Sequence, residues 1–147
     1  MAFSPRLDTN EFGLFTGSGG PTTTIADTNG PFSYVKSPSL NNNGTVAFEG
    51  GLDTIFEYGI FTGPDPLKDK VIVVGDTLFG STFGGLSLSV ESLNNTGQIA
   101  FWYFLVDGRT GIARADPLVT PVPEPGTLFL LVAGLLAAVL WRKGEST

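Results

Sequence analysis

The sequence of 147 residues contains neither cysteine nor histidine. Without cysteine, the chain has no disulfide bridges and no thiolate ligands for a metal. Without histidine, it lacks the residue that serves most often as a general base and as a transition-metal ligand. The formal net charge is −6, so there is no excess of the positive charge that binding to nucleic acid requires. We therefore expect no nucleic-acid partner, no cofactor and no metal, and we predict that the chain is not an enzyme.

Glycine and proline, in contrast, are abundant, with 20 and 10 copies. Together with many Asn, Thr and Ser residues they mark frequent tight turns, which are typical of all-β chains. Outside residues 127–141, no segment has a sustained period of 3.6 residues. The sequence predicts a mainly β fold of short antiparallel strands, followed by one C-terminal helix.

A nine-residue pattern occurs twice in the chain. Leu-Asn-Asn-Asn-Gly-Thr-Val-Ala-Phe occupies residues 40–48, and Leu-Asn-Asn-Thr-Gly-Gln-Ile-Ala-Phe occupies residues 93–101, at an offset of 53. A second motif follows each copy, Gly-Ile-Phe at 59–61 and Gly-Ile-Ala at 111–113, and Gly-Leu-Phe at 13–15 is an earlier version. The chain therefore contains internal repeats, which we interpret before any single element.

These repeats divide residues 1–116 into about two and a half units. The predicted units are residues 1–38, 39–91 and 92–116. Ala2 and Phe3 stand where the Ala-Phe pair of the first unit belongs, and the first ten residues lack the apolar run of a secretory leader. We expect an Asn-x-x-Gly turn within about ten residues upstream of Ala2, preceded by more units and a leader. The alternative is a degenerate capping unit at a true start.

Each unit is predicted to contain about four short strands. Asn-Gly at 43–44 and Thr-Gly at 96–97 are hairpin turns between apolar segments. Further strands are expected at residues 13–16, 22–26, 59–62, 71–74, 101–106 and 111–114. Four short strands in a repeat of roughly 50 residues are typical of a β-propeller blade or a related β-solenoid. We predict an incomplete set of such blade-like units.

The glycine of each Asn-x-x-Gly turn, Gly44 or Gly97, is expected to have a positive φ angle. The asparagine, Asn41 or Asn94, is expected to accept hydrogen bonds from the amides of its own turn. A calcium loop is the alternative interpretation, because amide oxygens are calcium ligands. However, the turns lack the series of carboxylates ending in Glu that a dedicated calcium loop contains.

Recurring aromatic residues are predicted to form the core between units. They are Phe15, Phe48, Phe61 and Phe101. Of the neighbours Trp102 and Tyr103, one must point to the opposite face of its strand from the other. An outward aromatic ring either covers a neighbouring strand or stacks on a sugar.

Three acidic residues, Glu49, Asp53 and Glu57, lie close together in the sequence. Paired carboxylates hydrolyse glycosides when they are about 5 to 10 Å apart. Because these three lie on a glycine-rich connection with no other polar partner in the sequence, we expect them on the solvated surface.

The repeated pattern resembles that of a bacterial tandem-repeat family named for its Asn-x-x-Gly-x-x-Ala-Phe sequence, whose members often carry variable C-terminal anchors. The matching residues are Asn41, Gly44, Ala47 and Phe48 in one unit and Asn94, Gly97, Ala100 and Phe101 in the next.

The last quarter of the chain has a different character. A proline-rich linker at residues 117–126 leads into an uncharged apolar run at residues 127–141. As a helix this run would be about 22 Å long, shorter than the ~30 Å hydrocarbon core of a bilayer. Trp141 at the interface, with Arg142 and Lys143 extending to the headgroups, would make up the difference. We predict a transmembrane helix at 127–141, in contact with membrane lipid, and a cytoplasmic basic tail at 142–147.

This order of Pro-Glu-Pro, apolar run and basic cluster strongly resembles the PEP-CTERM sorting signal of Gram-negative bacteria. Val122, Pro123, Glu124 and Pro125 correspond to the motif, and Arg142 and Lys143 to the basic end. The resemblance implies that the chain is exported, held in the inner membrane and processed by an exosortase near the motif. It would then reach the cell surface or the extracellular matrix.

The resemblance further implies an exported surface or matrix protein associated with exopolysaccharide or biofilm. The alternative is the C-terminal part of a propeller-type polysaccharide hydrolase whose catalytic residues lie upstream.

The apolar run yields a direct test of membrane retention. Replacing Leu135 and Leu136 with Lys introduces two charges into the middle of the predicted span, at roughly 2.5 to 3.5 kcal/mol each on insertion scales. We expect this variant to be lost from the membrane fraction of cells that export it. The control replaces Leu118 and Val119, which precede the span, with Lys. It introduces the same two charges and should leave membrane retention unchanged. Continued retention of the Leu135/Leu136 variant would contradict the predicted span.

Overall fold

The computed structural model describes residues 1–5, 12–53 and 57–118, and these form only strands, turns and irregular segments. Met1–Pro117 is one compact unit. The predicted transmembrane helix and basic tail lie outside the described residues. In the part that is described, we find no helix with the length and apolar character needed to cross a membrane.

The described strands are arranged in three antiparallel sheets. The first sheet contains β1 (Ala2–Phe3), β2 (Gly13–Thr16) and β3 (Thr23–Asp27). The second contains β4 (Phe32–Leu40), β5 (Val46–Leu52), β6 (Tyr58–Phe61) and β7 (Lys70–Val73). The third contains β8 (Thr77–Leu78), β9 (Ser81–Ser87), β10 (Ile99–Leu105) and β11 (Thr110–Ala115).

Within each sheet, every strand pairs with the one that follows it in the chain. This meander arrangement needs only short connections, which agrees with the many turn residues in the sequence. It confirms the predicted mainly β, antiparallel fold. The propeller-like assembly, the tandem repeat and the unit boundaries stay predictions.

Two of the connections are the predicted Asn-x-x-Gly turns. Gly44 has a φ of 82° and Gly97 has a φ of 83°. These are left-handed backbone conformations that glycine adopts at no steric cost, so the prediction of positive φ is confirmed. The first turn joins β4 to β5, and the second leads into β10.

The hairpin of β8 and β9 was not predicted from the sequence. Its turn passes through Phe79 and Gly80, with φ angles of 51° and 77°. A bulky residue at positive φ is rare. The Phe-Gly pair is therefore not a turn signal in the sequence, whereas Asn-Gly is. The Phe79 ring contacts that of Tyr103, at 5.4 Å between ring centroids.

The second sheet is buried on both of its faces. Along β5, Val46 and Phe48 belong to the core shared with the first sheet, whereas Ala47 belongs to the core shared with the third. The same alternation occurs on β6, where Phe61 and Ile60 point to opposite cores. Successive side chains of a strand point to opposite faces. A strand that is buried on both faces therefore needs apolar residues at consecutive positions.

Phenylalanine rings fill the core between the first two sheets. Phe32 packs edge-on against Phe48 at 5.5 Å and against Phe61 at 5.0 Å, measured between ring centroids. Phe101 is likewise buried in the core between the second and third sheets. Three of the predicted core phenylalanines are thus confirmed. Phe15 differs, since it is only half-buried and stacks on Phe3 instead.

Glycine at position 59 is required by close backbone packing, which provides a test of the sheet. A Cβ atom there would collide with the carbonyl oxygen of Ile72 and lie 2.8 Å from the Cα of Val73. We expect Gly59→Ala to lower the free energy of unfolding by about 1–3 kcal/mol, since backbone atoms cannot move aside cheaply. Gly20→Ala is the matched control, because a Cβ at Gly20 meets nothing within 4 Å.

Urea denaturation of both variants, followed by circular dichroism, measures this difference. The control should remain within about 0.5 kcal/mol of the parent chain. Equal effects at the two positions would contradict the described pairing of β6 with β7.

Candidate functional site

The two Asn-x-x-Gly turns have the same internal hydrogen bonds. The Oδ1 of Asn41 accepts from the amides of Asn43 at 3.0 Å and Thr45 at 2.9 Å. The Oδ1 of Asn94 accepts from the amides of Thr96 at 3.0 Å and Gln98 at 2.9 Å. These bonds satisfy backbone donors that the turn leaves unpaired. They confirm the local role predicted for the two asparagines.

The two turns also bind each other, across 52 or 53 residues of sequence. Asn41 Nδ2 donates to the carbonyl oxygen of Asn94 at 3.1 Å. The amide of Asn42 donates to Asn95 Oδ1 at 2.9 Å, and Asn43 Nδ2 donates to the carbonyl oxygen of Asn95 at 2.8 Å. We call this set of hydrogen bonds between residues 41–43 and 94–95 the turn ladder.

A further hydrogen bond extends this contact into the strands. The amide of Leu93 donates to the Oγ of Ser39 at 2.9 Å, and both residues are buried. Ser92 stands 53 residues after Ser39, and its Oγ is buried with no hydrogen-bond partner among the residues that the structure describes. The two turns therefore have the same sequence pattern but different surroundings.

The same asymmetry separates the two asparagines. Asn41 is buried, because the second turn covers it. Asn94 is exposed, and its Nδ2 donates to Gln98 Oε1 at 2.8 Å within its own turn. Sequence reasoning assigned one role to both residues and missed the ladder. A signal for the ladder was present in the sequence. Both turns have a second asparagine at the same position, Asn42 in one and Asn95 in the other.

The chemistry of the ladder is structural. The Asn41 side chain is a neutral amide. Its Oδ1 accepts two backbone amide hydrogens and its Nδ2 donates to a carbonyl oxygen, so both ends of the amide are used in structural hydrogen bonds. Among residues 1–5, 12–53 and 57–118, no group of three or more His, Cys, Asp or Glu side chains comes together as a metal site would need.

The three clustered acidic residues have different environments. Asp53 and Glu57 are exposed, as predicted. Glu49 is only 5% exposed, so its predicted place on the solvated surface is wrong. The reason is its strand partner: Lys36 lies opposite Glu49 in the β4–β5 register, and its Nζ is 2.8 Å from Glu49 Oε1. A buried carboxylate requires such a partner.

Tyr34 shares this buried acidic site, because its hydroxyl donates to Glu49 Oε1 at 3.4 Å. Burial, together with the neighbouring negative charge of Glu49, raises the pKa of Tyr34 to about 12. Tyr34 therefore stays a neutral hydrogen-bond donor at physiological pH. Glu49 is engaged by a cation and a phenol, which is a structural arrangement.

Trp102 and Tyr103 point to opposite faces of β10, as the strand alternation predicts. Tyr103 packs against the core between the second and third sheets. Trp102 lies on the outer face of the third sheet and is 41% exposed.

A cavity of about 480 Å³ lies between strands β7 and β8 on one side and β10 and β11 on the other. Its lining includes Lys70, Asp76 and Arg114, and the ring of Phe79, which is 59% exposed. Lys70 Nζ is 3.0 Å from Asp76 Oδ1. The cavity thus combines one accessible aromatic ring with charged groups that can hydrogen-bond.

The predicted sorting residues, Val122, Pro123, Glu124 and Pro125, and the basic residues Arg142 and Lys143 lie outside the described residues. The comparison with protein families bears on them. The family described as the PEP-CTERM protein-sorting motif matches residues 121–143. The chain carries a PEP-CTERM sorting motif. No match to the chain was found among curated proteins or among solved structures.

The PEP-CTERM match covers Pro-Glu-Pro, the apolar run and both basic residues. It implies export and membrane-anchored sorting. The resemblance of the preceding residues to the Asn-x-x-Gly-x-x-Ala-Phe family stays a prediction.

The turn ladder predicts unequal effects of the same isosteric substitution at its two asparagines. Asn41→Asp keeps the acceptor oxygen but places a second oxygen against the carbonyl of Asn94. We expect a loss of about 1–3 kcal/mol in the free energy of unfolding, because a partly buried hydrogen bond is replaced by repulsion between acceptors. Asn94→Asp is the matched control, since Asn94 is itself exposed and its Nδ2 bonds only to the side chain of Gln98 within its own turn.

The measurement is chemical denaturation of both variants near neutral pH. Asn94→Asp should change the free energy of unfolding by less than about 0.5 kcal/mol. A larger effect at position 94 than at position 41 would contradict the ladder.

Proposed function

We propose that the protein is exported, held in the inner membrane of a Gram-negative cell and sorted by an exosortase. After processing it would act as a surface or matrix protein in contact with exopolysaccharide. The observation that carries this proposal is the PEP-CTERM sorting motif at residues 121–143. Its position, after Met1–Pro117, separates the sorting signal from the β part of the chain.

Each part of the tail has a proposed role. Residues 127–141 form the membrane-spanning helix, because they are uncharged and apolar on every face. Arg142 and Lys143 remain on the cytoplasmic side and set the orientation. Pro123 and Pro125 hold the recognition segment extended, since proline fixes φ and restricts the residue before it. A protease-like enzyme can read such a preorganised segment with little loss of entropy.

We further propose that the β part acts by binding and has no catalytic activity of its own. Supporting this, its one buried carboxylate among the described residues, Glu49, is held by Lys36 and Tyr34. The cavity beside Phe79 favours contact with polysaccharide. The flat C–H face of a sugar ring can pack on the exposed phenyl ring while its hydroxyls reach Lys70, Asp76 and Arg114.

The sorting proposal is tested by separating insertion from processing. Pro123→Ala with Pro125→Ala leaves the apolar run unchanged, so we expect normal membrane insertion but no release from the membrane. The chain is expressed behind a working secretory leader in a host that contains an exosortase. Fractionation of membrane, cell surface and medium measures the outcome. The control, Pro117→Ala, changes a proline of the same linker that precedes the matched motif.

The control should be processed like the parent chain. Release of the Pro123/Pro125 variant at the parent rate would contradict sorting through this motif. In the same cells, enzymatic digestion of the exopolysaccharide should shift processed protein from the cell surface into the medium. If the surface-bound fraction survives complete digestion, the polysaccharide contact is wrong while the sorting proposal remains.

A further inference from the structure

The cavity beside Phe79 has the size and lining of a small-molecule site. Its volume of about 480 Å³ falls within the range of roughly 300–1,000 Å³ that is typical of such sites. Its lining lies entirely within residues 70–115, on strands β7, β8, β10 and β11 and the turns beside them. Most of this lining is apolar, and the charged residues in it are Lys70, Asp76 and Arg114.

Each of these charged groups is paired with a group of opposite charge. Lys70 Nζ is 3.0 Å from Asp76 Oδ1, and Arg114 Nε is 3.1 Å from Asp116 Oδ1. The two cations and the two carboxylates together have a formal charge of zero, while the whole chain has a net charge of −6. The described lining therefore offers an anionic polymer no uncompensated cation, and the chain as a whole repels it.

The same two ion pairs leave hydrogen-bonding capacity for an uncharged ligand. Asp76 Oδ2 accepts from the amide of Val73 at 2.9 Å, which fixes the orientation of this carboxylate. Arg114 contacts Asp116 through Nε, so both of its Nη groups lie outside that ion pair. Carboxylates accept hydrogen bonds and guanidinium groups donate them. Hydroxyl groups suit such a mixed set, because each hydroxyl can do both.

Phe79 adds an aromatic surface in an unusual backbone conformation. Its ring is 59% exposed, and its φ of 51° is rare for a bulky residue. Such conformations cluster at ligand sites, where the surrounding structure maintains them. Arg109 Nη2 donates to the carbonyl oxygen of Phe79 at 3.1 Å and so joins the β8–β9 turn to the β10–β11 turn. An aromatic ring on an anchored turn needs little further ordering when a ligand binds.

Arg109 is itself fixed by Asp107. Its Nε and Nη2 donate to Asp107 Oδ2 at 2.9 and 2.7 Å. Hydrogen bonds from the side chain and then from the backbone amide of Arg109 lower the pKa of Asp107 to about 2. Asp107 therefore stays ionised at neutral and mildly acidic pH, and the anchor of the Phe79 turn is present throughout that range.

We propose that this cavity binds an uncharged sugar residue of a neutral polysaccharide, stacked on the ring of Phe79. This inference rests on the polysaccharide contact proposed above and narrows it to one chemical class. The C–H face of the sugar covers the phenyl ring, and the sugar hydroxyls bond to Asp76 and Arg114. A polymer of uronic acids is disfavoured, because its carboxylates would approach Asp76 and cations that are already compensated.

Calorimetric titration of the full chain tests this class, in a detergent without a sugar headgroup. The neutral probes are cellohexaose, mannohexaose and xylohexaose, and the anionic probe is hexagalacturonate. We expect at least one neutral probe to bind at least about tenfold more tightly than hexagalacturonate. Its dissociation constant should change less than about twofold between about 50 and about 500 mM NaCl, because no net charge is neutralised on binding.

A glycine variant separates binding from folding. Phe79→Gly removes the ring and introduces the residue that adopts this positive φ without strain. We expect its melting temperature to remain within about 4 °C of the parent value. Its affinity for the neutral probe should fall at least about tenfold, whereas Phe79→Tyr, which keeps an aromatic ring, should bind like the parent. Trp102→Ala is the control, because it removes an exposed ring of the same sheet outside this cavity.

Three results would overturn the proposal, and each has a different consequence for the proposed function. Tighter binding of hexagalacturonate than of every neutral probe would refute the neutral class but leave the polysaccharide contact in place. Loss of neutral binding in Trp102→Ala, with none in Phe79→Gly, would refute the cavity as the site. Absence of binding to all four probes would refute the polysaccharide contact as well, while the sorting proposal, measured by fractionation, would be unaffected.

Discussion

Burial of the second sheet on both faces is the constraint on which the rest of the β part depends. A sheet covered from two sides needs apolar residues at consecutive strand positions, and β5 supplies Val46, Ala47 and Phe48. Its later positions, Gly50 and Gly51, have no side chains because the rings of Phe32 and Tyr34 occupy that space. Large rings on β4 are thus matched by glycines on β5, which brings the two strands' side chains to close packing.

Polar contacts fix the alignment of the second sheet with the third, which apolar packing alone does not specify. Apolar side chains tolerate small shifts, whereas a buried amide has to meet a particular carbonyl group. Asn41 meets this requirement in two directions, inward to its own turn and outward to Asn94. The ladder therefore aligns the second and third sheets at one end, while the apolar core holds them together along their faces.

The two parts of the chain carry information in different ways. The PEP-CTERM motif is a linear signal in which order along the chain suffices, so a family comparison finds it at residues 121–143 without reference to a fold. The β part acts through surfaces, which exist only when strands distant in sequence lie side by side. Its exposed groups, such as Trp102 and Phe79, belong to different strands and turns of one sheet.

Local features were therefore predictable from the sequence alone. The sorting motif, the antiparallel strands, the positive φ of Gly44 and Gly97 and the buried positions of Phe48 and Phe61 all follow from neighbours within a few residues. Periodicity and turn chemistry act over that range.

Tertiary structure alone decided the features that depend on distant partners. Glu49 is buried because Lys36 lies across the strand pair, and Asn41 is buried because a turn 53 residues away covers it. Phe15 is half-buried although Phe61, which occupies the corresponding pair position, is fully buried, since the first sheet has a neighbouring sheet on one face and the second sheet has neighbours on both. A residue's type states what it can bury or bind, but the element that packs against it determines whether it does.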